Sequence, residues 1–180
     1  MNKSKLIIHN RKFLGTLDFY VIRKIHEDLE DIGINCTYQE MFRFISSFED
    51  LGTDKGQITL CSLILHSILR CSHIEEEEFV ELFNSDTSED ERELADIFKS
   101  RFDYINSLFK KCMPPSSKED SEFDDEDIYV SKKTNWDFNH MEYLWYSVLK
   151  RNDDFYNTTP RTFFAQLEEF SKANSKNGGK

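Results

Sequence analysis

Glycine and proline are scarce in this chain, six and three among 180 residues. That excludes a collagen-like or low-complexity architecture, and the glycines are too scattered to cradle a phosphate in a P-loop. Its four cysteines, Cys36, Cys61, Cys71 and Cys112, form no C-x-x-C pair, so neither a zinc ribbon nor a thioredoxin-type redox motif is indicated. No apolar run approaches the roughly 20 residues needed to cross a bilayer. The G-x-S-x-G, H-E-x-x-H and calcium-loop patterns are also missing. Positive charge is short too: 23 basic residues against 34 acidic ones leave a net charge of -11. Nucleic-acid binding requires Lys and Arg to neutralise phosphates, so a polyanion of this kind is poorly suited to it.

What is present is a polar but globular composition, 38% hydrophobic and 32% charged, in a chain long enough to bury a sizeable core. Residues 1–12 are polar and basic with no signal-type apolar stretch behind them. The expectation is a reduced, cytoplasmic protein whose cysteines are mostly small core residues.

The spacing predicts helices through most of the chain. Leu6, Ile7 and Ile8 and then Phe13 and Leu14 flank a polar turn that can form a short β-hairpin ended by Gly15. Thr16 is a candidate cap for a helix to about Ile32, with Val21, Ile22, Ile25, Leu29 and Ile32 on its apolar face and Gly33 as its stop. Thr37 with Glu40 reads as a capping box opening a helix through Met41, Phe42, Ile45 and Phe48. A helix over about 54–71 carries Ile58, Cys61, Ile64, Leu65, Ile68 and Leu69 on one side and is expected at the centre of a bundle. Ser72 with Glu75, and Ser88 with Glu91, read as two further capping boxes. The second opens a long helix whose stripe includes Leu94, Ile97, Phe98, Phe102, Ile105, Leu108, Phe109 and Cys112, stopped by Pro114 and Pro115. The organisation expected is all-α: an N-terminal helical domain over 1–113, an acidic flexible linker over 114–133, an aromatic-rich helical module over 134–173 and a disordered tail over 174–180.

Metal and catalytic readings are weak. Cys61, His66, Cys71 and His73 lie near one another in sequence, but five-residue helical steps rotate by about 500° and drive the side chains apart. No thiol is placed beside an imidazole by any local signature. The acidic runs read most simply as solvated helix starts and a charged tether. The expectation is a non-enzymatic protein with no metal and no cofactor.

The aromatic residues beyond the acidic tether are the strongest signal. Trp136, Phe138, Met141, Trp145, Tyr146, Phe155, Tyr156, Phe163, Phe164 and Leu167 are too many apolar groups for so short a segment to cover alone. They must pack on the N-terminal helices or on another protein, and the two readings stand about even.

At the N-terminus, Lys5, Leu6, Ile7, Ile8, His9, Asn10, Arg11 and Lys12, followed by Leu17, Asp18, Phe19, Tyr20 and Val21, resemble tail assembly chaperones of long-tailed, siphovirus-type bacteriophages. The stretch Ser67, Ile68, Leu69 and Arg70 before the acids at 75–78 is similar to their apolar helix and acidic helix start. Trp136, Asp137, Phe138, then Trp145, then Thr159, Pro160, Arg161, Phe163 and Phe164 resemble the downstream part of the family's longer product. The resemblance implies a small helical, non-catalytic chaperone that binds the tape measure protein, keeps it soluble and helps recruit tail tube protein. It further implies action in the host cytoplasm and absence from the mature virion, with self-association as an added expectation and no membrane or nucleic acid involved. The ten residues named above are then the expected partner-binding set. The alternative is an acidic phage-encoded inhibitor or nucleic-acid mimic acting on a host protein through the acids at 75–78, 89–91 and 124–127.

Overall fold

The computed structural model describes residues 2–45, 48–115 and 136–177, and these form a mainly helical fold with one short antiparallel hairpin. Most of the expected tether lies outside the described residues, as do residues 178–180. Among the described residues, no helix is long and apolar enough to cross a membrane.

The hairpin pairs β1, Ser4–Ile8, with β2, Arg11–Gly15, in a register that sets Leu6 opposite Phe13 and Ile8 opposite Arg11. His9 and Asn10 both take positive φ, 46° and 63°, the left-handed pair that a two-residue hairpin turn requires. Alternation buries Leu6, Ile8 and Phe13 and turns Lys5 and Ile7 outward. Gly15 belongs to the strand itself. A Cβ there would lie 1.8 Å from the Tyr104 hydroxyl and 2.9 Å from the Ser67 carbonyl oxygen, so only glycine permits the approach.

Helix α1, Phe19–Asp31, starts two residues later than the Thr16 reading. Its cap is Asp18, whose carboxylate accepts from the Val21 amide at 3.0 Å. Thr16 instead donates to the Asn2 carbonyl. Gly33, at φ 84°, follows the helix end as expected. Helix α2, Tyr38–Arg43, opens with the predicted capping box of Thr37 and Glu40. It ends at Arg43 rather than running through Phe48, which begins a separate short helix, α3, Phe48–Leu51.

Helix α4, Asp54–Leu69, packs against α1, α3, the hairpin and α5, Glu76–Ser85. Its central place agrees with the sequence, and Ile64 and Ile68 are buried as expected, but the rest of its buried face differs. Gly56, Thr59, Ser62, Leu63, Ile64, Ser67 and Ile68 are buried, while Ile58 and Cys61 face outward. Small hydroxyl residues tolerate that position because their oxygens are bonded: Thr59 donates to the Lys55 carbonyl at 2.7 Å, Ser67 to the Ile64 carbonyl at 2.9 Å and Ser62 to Asp28 at 2.6 Å. A buried hydroxyl costs little once its hydrogen bond is made.

The two other capping boxes are absent. Glu75 caps α5 without a side-chain bond. Asp90 caps α6, Glu91–Cys112, accepting from Arg92 and Glu93, while Ser88 donates to Glu93 from upstream. The C-terminal half of α6 carries the burial, through Tyr104, Ile105, Leu108, Phe109 and Cys112; Phe98 is exposed.

Beyond the tether, Asp137 caps α7, Phe138–Tyr143, which passes into a π-helical turn over Leu144–Val148. A 3-10 turn over Phe155–Asn157 leads to α8, Pro160–Asn177. The Thr159 hydroxyl meets the Thr162 amide at 3.4 Å, matching the cap expected from Thr-Pro. Because α8 reaches Asn177, the residues from 174 to 177 are helical rather than a disordered tail.

This segment shares one core with the N-terminal elements rather than forming a separate module. The Phe19 ring stacks on Phe155 with centroids 4.4 Å apart and meets Phe138, Phe163 and Trp136 edge-on at 5.4, 5.7 and 6.2 Å. Tyr38 stacks on Phe138 at 4.3 Å, and Phe42 lies 5.6 Å from Trp136. The Phe19 amide donates to the Thr158 carbonyl at 3.1 Å. Arg70, at the end of α4, donates both to Asp18 at 2.8 Å and to Asn157. Burial pushes the Asp18 carboxyl up from its ordinary value, with Arg70 and the Val21 amide opposing.

Removing the Phe19 ring deletes the element common to these contacts. Phe19→Ala should cost about 3–5 kcal/mol in urea denaturation, whereas Phe98→Ala on the exposed face should stay within about 0.5 kcal/mol. Equal effects would mean that the C-terminal rings do not depend on α1.

Candidate functional site

Ten residues were expected to meet a partner, and the structure uses most of them inside the chain. Trp145, Phe155 and Phe163 are 0% exposed, and Trp136, Phe138 and Met141 are also buried. Tyr156, Phe164 and Leu167 are half-buried against the same core. Trp145 Nε1 donates to the Asp153 carbonyl at 2.8 Å, closing the loop after the π-helical turn. Tyr146 alone of the ten is exposed, and its hydroxyl accepts from the Phe155 amide at 3.1 Å. In this fold most of these side chains thus face the chain's own core, where the rings chiefly cover Phe19 and one another.

The apolar surface left open lies on the opposite side of α4. The outward turn of Ile58 and Cys61 makes one wall of a groove of about 390 Å³ between the end of α1, α4 and α5. Ile32 comes from α1, Leu65 from α4, and Phe79, Val80 and Phe83 from α5. Ile32, Val80 and Ile58 are 55%, 38% and 36% exposed, a concentration of large apolar side chains around one depression. Ile32 and Ile58 were legible as members of helical stripes, but periodicity alone does not say which edge of a stripe stays in water.

Each wall is held from behind. Phe79 is buried edge-on against Phe13 of β2, with centroids 5.5 Å apart. The Arg101 guanidinium lies 4.0 Å from the centre of the Phe83 ring and donates to the carbonyls of Phe83 and Asp86 at 3.1 and 2.8 Å. Asp28 ties α1 to α4 at the rim, accepting from Ser62 at 2.6 Å and from His66 Nε2 at 2.8 Å. Burial would push the Asp28 carboxyl up, but the bonds from His66 and Ser62 outweigh it and hold it below its ordinary range. Desolvation by the surrounding groove walls pushes the Cys61 thiol up although the residue itself faces outward, and it lines the groove as a small side chain.

Cys61 and His66 do not converge on Cys71 and His73: Cys61 faces the groove and His66 is engaged by Asp28. No group of three or more His, Cys, Asp or Glu suited to holding a metal occurs among the described residues. No protein-family model, curated protein or solved structure matches this chain.

The depressed Asp28 carboxyl sets a sign for pH dependence. Its stabilising bonds are present above the aspartate value of the unfolded chain, 3.8, and are lost as pH falls through the lower folded value. Wild type should be more stable than Asp28→Asn in neutral solution, and the gap should close as the medium is acidified below that range. Urea midpoints across a pH series measure this; a gap independent of pH would show that the charge on Asp28 is not what matters.

Proposed function

We propose that this protein is a non-catalytic assembly chaperone of the long-tailed phage type, binding the tape measure protein and keeping that long helical chain soluble while tail tube protein assembles. The observation that supports this reading best is the open apolar groove walled by α1, α4 and α5. A helical partner satisfies its own backbone hydrogen bonds, so an apolar channel between helices can receive its side chains without main-chain pairing. Burying apolar area there yields roughly 25 cal/mol per Å². In this reading the aromatic segment is structural: it locks the N-terminal bundle in the shape that holds the groove open. The acidic surface keeps the chaperone soluble while it carries an apolar client.

A nucleic-acid mimic would use the acids at 75–78 and 89–91 instead. Those residues are exposed, but Glu78 is engaged by Arg11 at 3.0 Å, and the run at 124–127 lies outside the described residues.

Co-expression with the tape measure protein of the same genome tests the proposal. Wild type should bring that protein into the soluble fraction and co-purify with it. Ile58→Asp and Val80→Asp, both at exposed positions, should leave the fold within about 0.5 kcal/mol of wild type yet leave the tape measure protein in the pellet. An insoluble tape measure protein in the presence of folded wild type would overturn the reading, and loss of binding only on neutralising the acids would favour the mimic.

A further inference from the structure

We infer that the groove accepts an amphipathic helix whose apolar stripe is flanked by lysines or arginines. The inference rests on the reading of the groove as the partner site and adds the chemistry of its occupant. Each wall carries an acid near its exposed apolar residue, on α4 and α5 at helical spacing. Asp31 adjoins Ile32 at the end of α1, Asp54 precedes Ile58 by one turn of α4, and Glu76 and Glu77 precede Val80 by four and three residues on α5. All four are exposed, and none has an ion-pair partner among the described residues.

The chain's own cations near these walls are directed elsewhere. Lys55 sits 5.5 Å from the centre of the Phe44 ring, Lys24 pairs with Glu27, Arg101 with Asp86 and Arg11 with Glu78. The groove is thus an apolar floor inside an uncompensated acidic rim.

That combination discriminates among occupants. A second copy of this chain brings its own net charge of -11 against the rim and is repelled. A nucleic acid or an anionic membrane surface is repelled for the same reason. Pairing with an extended strand needs free main-chain donors and acceptors, and the walls are helices whose backbone groups are internally bonded. A helix with a basic margin is left. Its apolar residues enter the channel and its cations meet the rim, where they set orientation and speed association.

Two fluorescein-labelled synthetic helical peptides with the same apolar residues at i, i+3, i+4 and i+7 provide the test, one flanked by lysines and the other by glutamates, titrated with the full chain. The lysine-flanked peptide should bind at least about tenfold more tightly at low salt, and the advantage should shrink as salt screens the rim. Replacing the rim with Asp31→Asn, Asp54→Asn, Glu76→Gln and Glu77→Gln should bring the two peptides within about threefold of each other. Ile58→Asp, and independently Val80→Asp, should remove binding of the lysine-flanked peptide, with circular dichroism confirming that each variant is folded. Equal binding of the two peptides to wild type overturns the charge inference while leaving the groove reading intact. Binding that survives both groove substitutions, or no binding of either peptide, overturns both.

Discussion

The packing of one ring, Phe19, is the constraint on which the rest of this structure depends. It sits in the first turn of α1 and touches Trp136, Phe138, Phe155 and Phe163 at once. Aromatic pairs of this kind contribute roughly 0.5–1.5 kcal/mol each beyond the area they bury. The preceding residue, Asp18, adds the ion pair with Arg70, and Arg70 reaches on to Asn157. Two neighbouring residues therefore tie the start of α1 to the end of α4 and to the C-terminal segment. Shifting α1 would disturb all three.

From that anchor follows the division between apolar surface that is used internally and apolar surface that is left open. The C-terminal rings close one side of the N-terminal elements. On the other side, α4 buries Thr59, Ser62 and Ser67 together with Leu63, Ile64 and Ile68. Because those hydroxyls bond to carbonyls and to Asp28, the helix can press its small face inward and hold Ile58 and Cys61 out. The groove thus depends in part on hydrogen-bond satisfaction along the same helix, with the Ser62–Asp28 bond at its rim.

Much of the helical content was legible in the sequence, and the reasons for the misses are specific. The Thr37 and Glu40 box, the Gly33 stop and the Thr159 with Pro160 start were readable because each is local chemistry acting on adjacent amides. Ser72 and Ser88 carried the same spacing but lie outside the helices they were expected to cap, since Glu75 and Asp90 occupy the cap positions. The facing of α4 was readable only in part: Ile64 and Ile68 are buried as expected, but Ile58 is just as apolar and periodicity does not say that it stays in water. The aromatic set raised the right question. Whether Trp145 and Phe163 served an internal core or a foreign surface turned on Phe19, a residue near the other end of the chain.

That separation along the chain has a consequence for synthesis. Phe19 leaves the ribosome well before the rings that enclose it, at a pace of roughly 5–20 residues per second. Throughout that interval the nascent N-terminal portion carries a bare apolar face that no local segment can shield. The shared core is therefore completed only once Phe155 and Phe163 have emerged.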